Sequence, residues 1–209
     1  MDPLQTTLTL LDYAAVFAFG ATGALAAARR KHDIVTFGFF AAVTGVGGGT
    51  LRDLLIDAPV FWVARPGYIA ACLAAGLVVW LFGAGRFRGA LLTWLDAVGM
   101  AAYAVIGAAK AIALGVPPLS AVIMGVLTAT FGGIIRDVLA EEPSVLLRRE
   151  IYVSAALVGA CVYVLALMGG IAALPAGLAG FAAALVIRGG AVMFGWSLPG
   201  FPGRVQTGD

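Results

Sequence analysis

The sequence predicts an all-α, polytopic membrane protein of seven transmembrane helices, built as two inverted three-helix repeats plus a seventh helix, with helices two and five kinked. Three observations predict it. The 209 residues are 62% hydrophobic and only 11% charged, with a mean hydropathy of +1.02. A soluble domain is usually about half apolar and a quarter charged, so a soluble protein is excluded. The chain also matches itself when shifted by 84 residues. Finally, its lysines and arginines gather on one side of the predicted spans.

A spanning helix needs about 20 mostly apolar residues. The first runs from about Thr9 to Ala28 and stops at Arg29-Arg30-Lys31-His32. The second runs from about Ile34 to Ile56, and Asp57-Ala58-Pro59 ends it, because proline disfavours helix in the residue before it. The third covers about Gly67 to Phe82, followed by the basic loop Arg86-Phe87-Arg88. The fourth covers about Leu91 to Leu114, and Gly115-Val116-Pro117-Pro118 is a tight turn. The fifth runs from about Leu119 to Ala140 and is closed by Glu141-Glu142-Pro143. The sixth spans about Ile151 to Met168, and the seventh starts near Ala172 or Pro175 and ends by Arg188.

Residues 1–196 thus form one transmembrane domain, with repeat one at about 9–83, repeat two at about 91–168 and helix seven at about 172–190; 197–209 is expected to be a disordered tail. The start, Met1-Asp2-Pro3, lacks the basic region of a signal peptide. Cys72 and Cys161 lie in apolar segments and are expected as free thiols packed as small hydrophobes. No metal-ligand cluster is visible, and no cofactor is expected.

In the 84-residue register, Leu11-Asp12 falls on Leu95-Asp96, Gly23 on Gly107, Thr44 on Thr128, Gly48-Gly49 on Gly132-Gly133, and Arg52-Asp53 on Arg136-Asp137. Asp57 meets Glu141, Pro59 meets Pro143, and Tyr68 meets Tyr152. A polar set that holds one register over so long a stretch indicates duplication. Three spans per repeat is an odd number, so the copies cross in opposite directions. Arg29, Arg30, Lys31, Arg86, Arg88, Arg148, Arg149, Arg188 and Arg204 fall on one face and Arg65 alone on the other. By the positive-inside rule the C-terminus is cytoplasmic and the N-terminus outside.

Lipid penalises glycine clusters and charges alike, and this chain carries both twice. Close helix packing explains Gly20, Gly23, Gly107 and Gly125 well. Gly47, Gly48 and Gly49 in a row, with Gly132 and Gly133 in the second copy, suggest instead a kink whose freed carbonyls face a path between the repeats. Arg52 and Asp53 then lie in the outer half, and Arg136 and Asp137 in the inner half. Symmetry offers Asp12 near Arg52 or Lys110, and Asp96 near Arg136. These charges either fix helix register as structural salt bridges or line a water-filled path with a constriction in each half. Lys110 either snorkels to the outer interface or faces the path. His32 is read as solvated, Arg29 to Lys31 as a topology signal able to meet anionic lipid, and Trp62, Tyr68 and Tyr152 as an interfacial belt.

With two copies of Gly-Gly-x-x-Arg-Asp, seven spans and an inverted three-helix repeat, the chain resembles the trimeric intracellular cation (TRIC) channel family, in its prokaryotic branch, over about residues 5 to 190. The resemblance implies a homotrimer in the inner (plasma) membrane, with an hourglass pore for potassium and sodium in each protomer. It makes Gly47 to Gly49 and Gly132 to Gly133 the kinks, with Arg52, Asp53, Arg136 and Asp137 framing the pore. The second motif departs from the first in having Phe131 where the first has Gly47. Animal members carry a Lys-Glu-Val-x-Arg element for an anionic inositol lipid; Lys110 matches its lysine, but Ala111 and Leu114 replace the glutamate and arginine.

The leading expectation is a monovalent-cation channel, and the alternative is a secondary transporter of a small solute such as glycine. A scaffold without transport fits the repeated buried charges poorly. An enzyme has least support, since no nucleophile–base pair is visible. Nucleic acid is not an expected partner.

Overall fold

The computed structural model describes residues 3–83, 89–144, 146 and 150–199. Its helices are α1 (Pro3–Arg29), α2 (Ile34–Leu55), α3 (Phe61–Ala64), α4 (Gly67–Phe82), α5 (Gly89–Ala113), α6 (Pro118–Leu139), α7 (Val153–Met168) and α8 (Ala173–Phe194). Among the described residues the only strand-like pairing is an isolated antiparallel bridge between Glu150 and Ser197. The basic residues Arg86, Arg88, Arg148, Arg149 and Arg204, and positions 200–209 of the expected tail, lie outside the described residues.

Most ends follow local chemistry. Asp33 caps α2, its carboxylate accepting the Thr36 N–H at 2.8 Å. That bond holds the Asp33 carboxyl below the ordinary aspartate range. A depressed pKa means stabilisation present above the unfolded value and lost as pH falls through the folded one. Asp33→Ala is therefore expected to lower the thermal midpoint at pH 7, with the gap to wild type closing well below pH ~4. A gap of constant size across that range would count against the cap. At the other end of the chain, Gly195 closes α8 in the left-handed conformation (φ 68) that terminates many helices.

Two turns 84 residues apart share one backbone form. Asp57 (φ 51) and Glu141 (φ 52), one in each repeat, are both left-handed. After each, the next N–H returns to a carbonyl of the preceding helix: Ala58 to Asp53 at 2.8 Å and Glu142 to Asp137 at 2.9 Å.

The α2 and α6 helices cross at the centre. Around them, α1 packs on α2, α4 and α5, while α5 packs on α6, α7 and α8. The core between them is small-residue rich, with Ala24, Ala41, Ala75, Ala104 and Ala129 fully buried. Large apolar side chains face outward instead, including Leu77, Leu81 and Phe82 on α4, Leu165 on α7, and Val186 and Met193 on α8. This inside-out pattern suits lipid, where helices associate through close contact of small residues. Among the described residues, four helices (α2, the Thr93–Ala113 part of α5, α6 and α8) are long and apolar enough to cross a membrane.

Three boundaries differ from expectation. The first helix begins at Pro3 rather than Thr9, and a single turn, α3, precedes α4. The last helix continues to Phe194 instead of ending by Arg188. Arg188 is buried and paired inside the protein, so its charge does not mark an interface. Both cysteines are free, Cys72 fully buried.

Candidate functional site

The site is assembled from two ion-pair sets on either side of the α2–α6 crossing. At one end lies Asp53, completely buried on α2. Its Oδ1 accepts Arg52 Nε and Nη2, each at 2.8 Å, and Lys110 Nζ at 2.7 Å. Its Oδ2 accepts the Phe61 N–H at 2.9 Å, which ties the start of α3 to the same carboxylate. The Arg52 guanidinium also stands 5.9 Å from the Phe61 ring centre. Nearby, Asp12 accepts the Tyr68 hydroxyl at 2.5 Å, and the Tyr68 ring stacks on Tyr13 with centroids 4.2 Å apart.

At the other end Arg136 is held on three sides. Asp137 Oδ1 accepts its Nε at 3.0 Å and Nη2 at 2.9 Å. Its Nη1 reaches Asp96 Oδ1 at 3.2 Å and the Thr22 hydroxyl at 3.0 Å. Tyr152, the counterpart of Tyr68, lies beside Asp96, although its buried hydroxyl has no hydrogen bond of full geometry. Both arginines are therefore neutralised by carboxylates of their own half, as charges at membrane depth require.

A cavity of about 390 Å³ opens on the Arg52 end. Asp12, Arg52, Arg65, Tyr68 and Lys110 line its sides, and Thr44, Gly48, Thr128 and Gly132 line it at the helix crossing. The Arg136 set is not part of its wall. Two buried hydroxyls on this wall, Thr44 Oγ1 and Tyr103 Oη, have no protein partner. The cavity thus presents polar atoms down to the crossing, and the Arg136 cluster lies outside its lining.

Several expectations change. Asp96 pairs with Arg136 as the symmetry suggested, but Asp12 makes no ion pair with Arg52 or Lys110. Asp53 lies closer to both cations and takes them, leaving Asp12 to Tyr68. Lys110 faces the cavity rather than snorkelling away. Tyr68 and Tyr152 are not an interfacial belt: they are 3% and 1% exposed.

The glycine clusters have a packing role that the sequence did not specify. α2 and α6 are helical through Gly47, Gly48 and Gly49 and through Gly132 and Gly133. Each glycine of the first run instead meets a different neighbour. A Cβ at Gly48 would strike the Thr128 carbonyl oxygen, and one at Gly132 would strike that of Thr44. At Gly49 it would meet the Phe61 ring at 2.6 Å, and at Gly47 the Ile135 side chain at 3.2 Å. Consecutive glycines are thus explained by packing on several faces. Gly133 is the exception, with Arg136 and the Tyr152 hydroxyl at ordinary contact distances of 3.6 and 3.7 Å. Arg188 is the residue that sequence reasoning misplaced: its position late in an apolar run mimics an interface charge.

Among the described residues, no group of three or more His, Cys, Asp or Glu side chains is placed to hold a metal ion. A family model described as Glycine transporter matches residues 9–84 and again 93–168. The chain is 38% identical over 204 residues to a UPF0126 membrane protein of Vibrio cholerae, covering 95% of this chain and 84% of that one. It is 37% identical over 195 residues to the UPF0126 inner membrane protein YadS of Escherichia coli, covering 91% and 94%. Among solved structures it superposes on the TRIC trimeric intracellular cation channel orthologue from Rhodobacter sphaeroides with a TM-score of 0.85, at 47% identity, over 91% of this chain and all of that one. A second structure, described as the structural basis for conductance through TRIC cation channels, gives a TM-score of 0.86 at 28% identity, covering 94% and 98%.

Proposed function

The chain belongs to the Glycine transporter family, which is the TRIC family, and on that premise we propose that it is a channel for potassium and sodium, with one pore through each protomer of a homotrimer. The observation that carries this reading is the cavity bearing charged and hydroxyl side chains, which reaches the α2–α6 crossing, together with a separate compact arginine–carboxylate cluster. The seven long helices act as seven spans, α1 to α4 and α5 to α7 as inverted repeats, and α8 as an addition. The two segments matched by the family model begin 84 residues apart, the register of the internal repeat. With the N-terminus outside and the C-terminus cytoplasmic in the plasma membrane, the cavity is an outer vestibule. The Arg136 set is the inner constriction, and the outward apolar faces meet lipid. The reading contains no enzymatic step.

Cation passage past arginines is possible because neither is a bare charge. Asp53 neutralises Arg52, and Asp137 and Asp96 surround Arg136. The vestibule walls then carry hydroxyls and paired charges able to replace part of an ion's hydration shell.

Purified protein in planar bilayers tests the reading. Discrete unitary currents that reverse at the potassium or sodium potential are expected. Saturable, coupled solute uptake without unitary current would overturn the channel. That outcome would favour the second reading, a small-solute carrier such as one for glycine. The family description and a closed-bottomed cavity bearing Lys110, Arg65 and Asp12 together, which would suit a small zwitterion, support that alternative. Arg136→Gln removes the inner cation and its ties to Asp96 and Thr22. It is expected to raise open probability or conductance several-fold, read in single-channel records; a channel that folds and conducts as wild type would place Arg136 outside the path.

A further inference from the structure

Tyr68 and Tyr152 are equivalent in the repeat, but they are held differently. Tyr68 is covered by the Tyr13 ring, nearly parallel at 7° and 4.2 Å away. The residue at the Tyr13 position in the second repeat is Ala97, which is fully buried and has no ring to offer. What covers Tyr152 comes instead from α8, the helix outside the repeat: the Arg188 guanidinium carbon lies 5.0 Å from the Tyr152 ring centre.

Arg188 is itself fixed in place. It is 6% exposed, its Nη2 meets Glu150 Oε2 at 3.1 Å, and its Nη1 meets the Ile151 carbonyl at 3.3 Å. Glu150 in turn is bridged to Ser197, just beyond the end of α8. Tyr152 faces both members of the inner ion pair. Its buried hydroxyl makes no hydrogen bond, and a Cβ at Gly133 would lie 3.7 Å from that hydroxyl and 3.6 Å from Arg136 Nη2. A planar cation over an aromatic face is a favourable contact that also restricts the ring, more so when desolvated.

We propose that Arg188 is a positioning residue for the inner constriction: from α8 it sets the Tyr152 ring, and with that ring the space in which the Arg136–Asp96 ion pair is held. The added helix thereby replaces, by a different chemistry, the ring that Tyr13 supplies in the other half. Control of the inner constriction then lies partly with α8 and the Glu150–Ser197 corner, while the ring over Tyr68 comes from Tyr13 of the same repeat. This rests on the reading of the Arg136 set as a constriction.

Single-channel recordings of wild type, Arg188→Gln, Asp96→Asn and the double variant test it, together with the crystal structure of Arg188→Gln. With the cover removed, Arg136 is held less firmly. Open probability is expected to rise about threefold or more, within the range of coupling carried by packed networks, while unitary conductance stays unchanged. In the Asp96→Asn background, Arg188→Gln should add nothing. A purely structural role would lower stability and leave open probability where it was. Unchanged open probability, or an equal change in both backgrounds, overturns the proposal. If wild type passes no unitary current, the channel reading fails, and the crystal structure of the variant alone decides the positioning role. A displaced Tyr152 ring, with Arg136 and Asp96 moved apart from their 3.2 Å ion pair, supports it; a ring and an ion pair that stay in place overturn it.

Discussion

Gly48→Ala is expected to destabilise the protein by about 2–3 kcal/mol or more, the upper part of the range for forcing atoms into a packed core. The new Cβ has no flexible side chain to displace. It would sit against the Thr128 carbonyl oxygen, so α2 and α6 must move apart, and the packing at their crossing goes with them. Gly132→Ala should behave in the same way, because its Cβ meets the Thr44 carbonyl in the mirrored contact. Gly177→Ala is the control: its nearest neighbour, Val105 Cγ1 at 3.6 Å, is at ordinary van der Waals distance. There the helix propensity of alanine should leave stability equal to wild type or slightly higher. Unfolding midpoints in detergent, with the yield of folded protein as a second readout, check all three. If Gly48→Ala unfolds at the wild-type midpoint, the helices do not meet as described.

Asp53→Asn is expected to be comparably severe, at about 3 kcal/mol or more, the cost of leaving a buried charge without its partner. This carboxylate is shared by Arg52 and Lys110, and it also receives the Phe61 N–H. An amide keeps the shape but not the charge, so two cations would face each other across a neutral group. Adding Lys110→Met should restore part of the stability, because one of the stranded cations is then gone. That coupling between neighbouring residues is measured by a double-mutant cycle on the same unfolding midpoints. Additive effects, or an Asp53→Asn protein as stable as wild type, would show that Lys110 and Arg52 do not depend on Asp53.

Much of this arrangement is legible from residue order alone. Hydropathy and turn residues place α2, α4 and α6 to within two residues, because in a membrane protein apolar length is set by the bilayer itself. The repeat register brings Asp96 to Arg136. What residue order does not reveal is lateral: which of several charges at one depth a cation will choose. The repeat departs from symmetry where single side chains differ. Lys110 corresponds to Ala26, so only the Arg52 end has a second cation to satisfy, and Asp53 rather than Asp12 takes it. Tyr13 corresponds to Ala97, so the inner tyrosine is covered by a helix that has no counterpart at all. The glycines' neighbours are hidden for a related reason. A run of three looks excessive for one packing face, and only the three-dimensional arrangement shows that α6 and α3 each claim a different member of it.

The backbone-to-backbone crossing of α2 and α6 has a kinetic consequence. Helices that meet through side chains can shift by repacking them from one set of rotamers to another. Gly48 against the Thr128 carbonyl and Gly132 against the Thr44 carbonyl leave nothing at the crossing to re-sort. The joint acts as a fixed pivot, and the parts free to rearrange are the long side chains on either side of it, chiefly Arg136. Swings of a single guanidinium are faster than the collective sliding of helices. Openings of this protein should therefore flicker briefly and often rather than dwell.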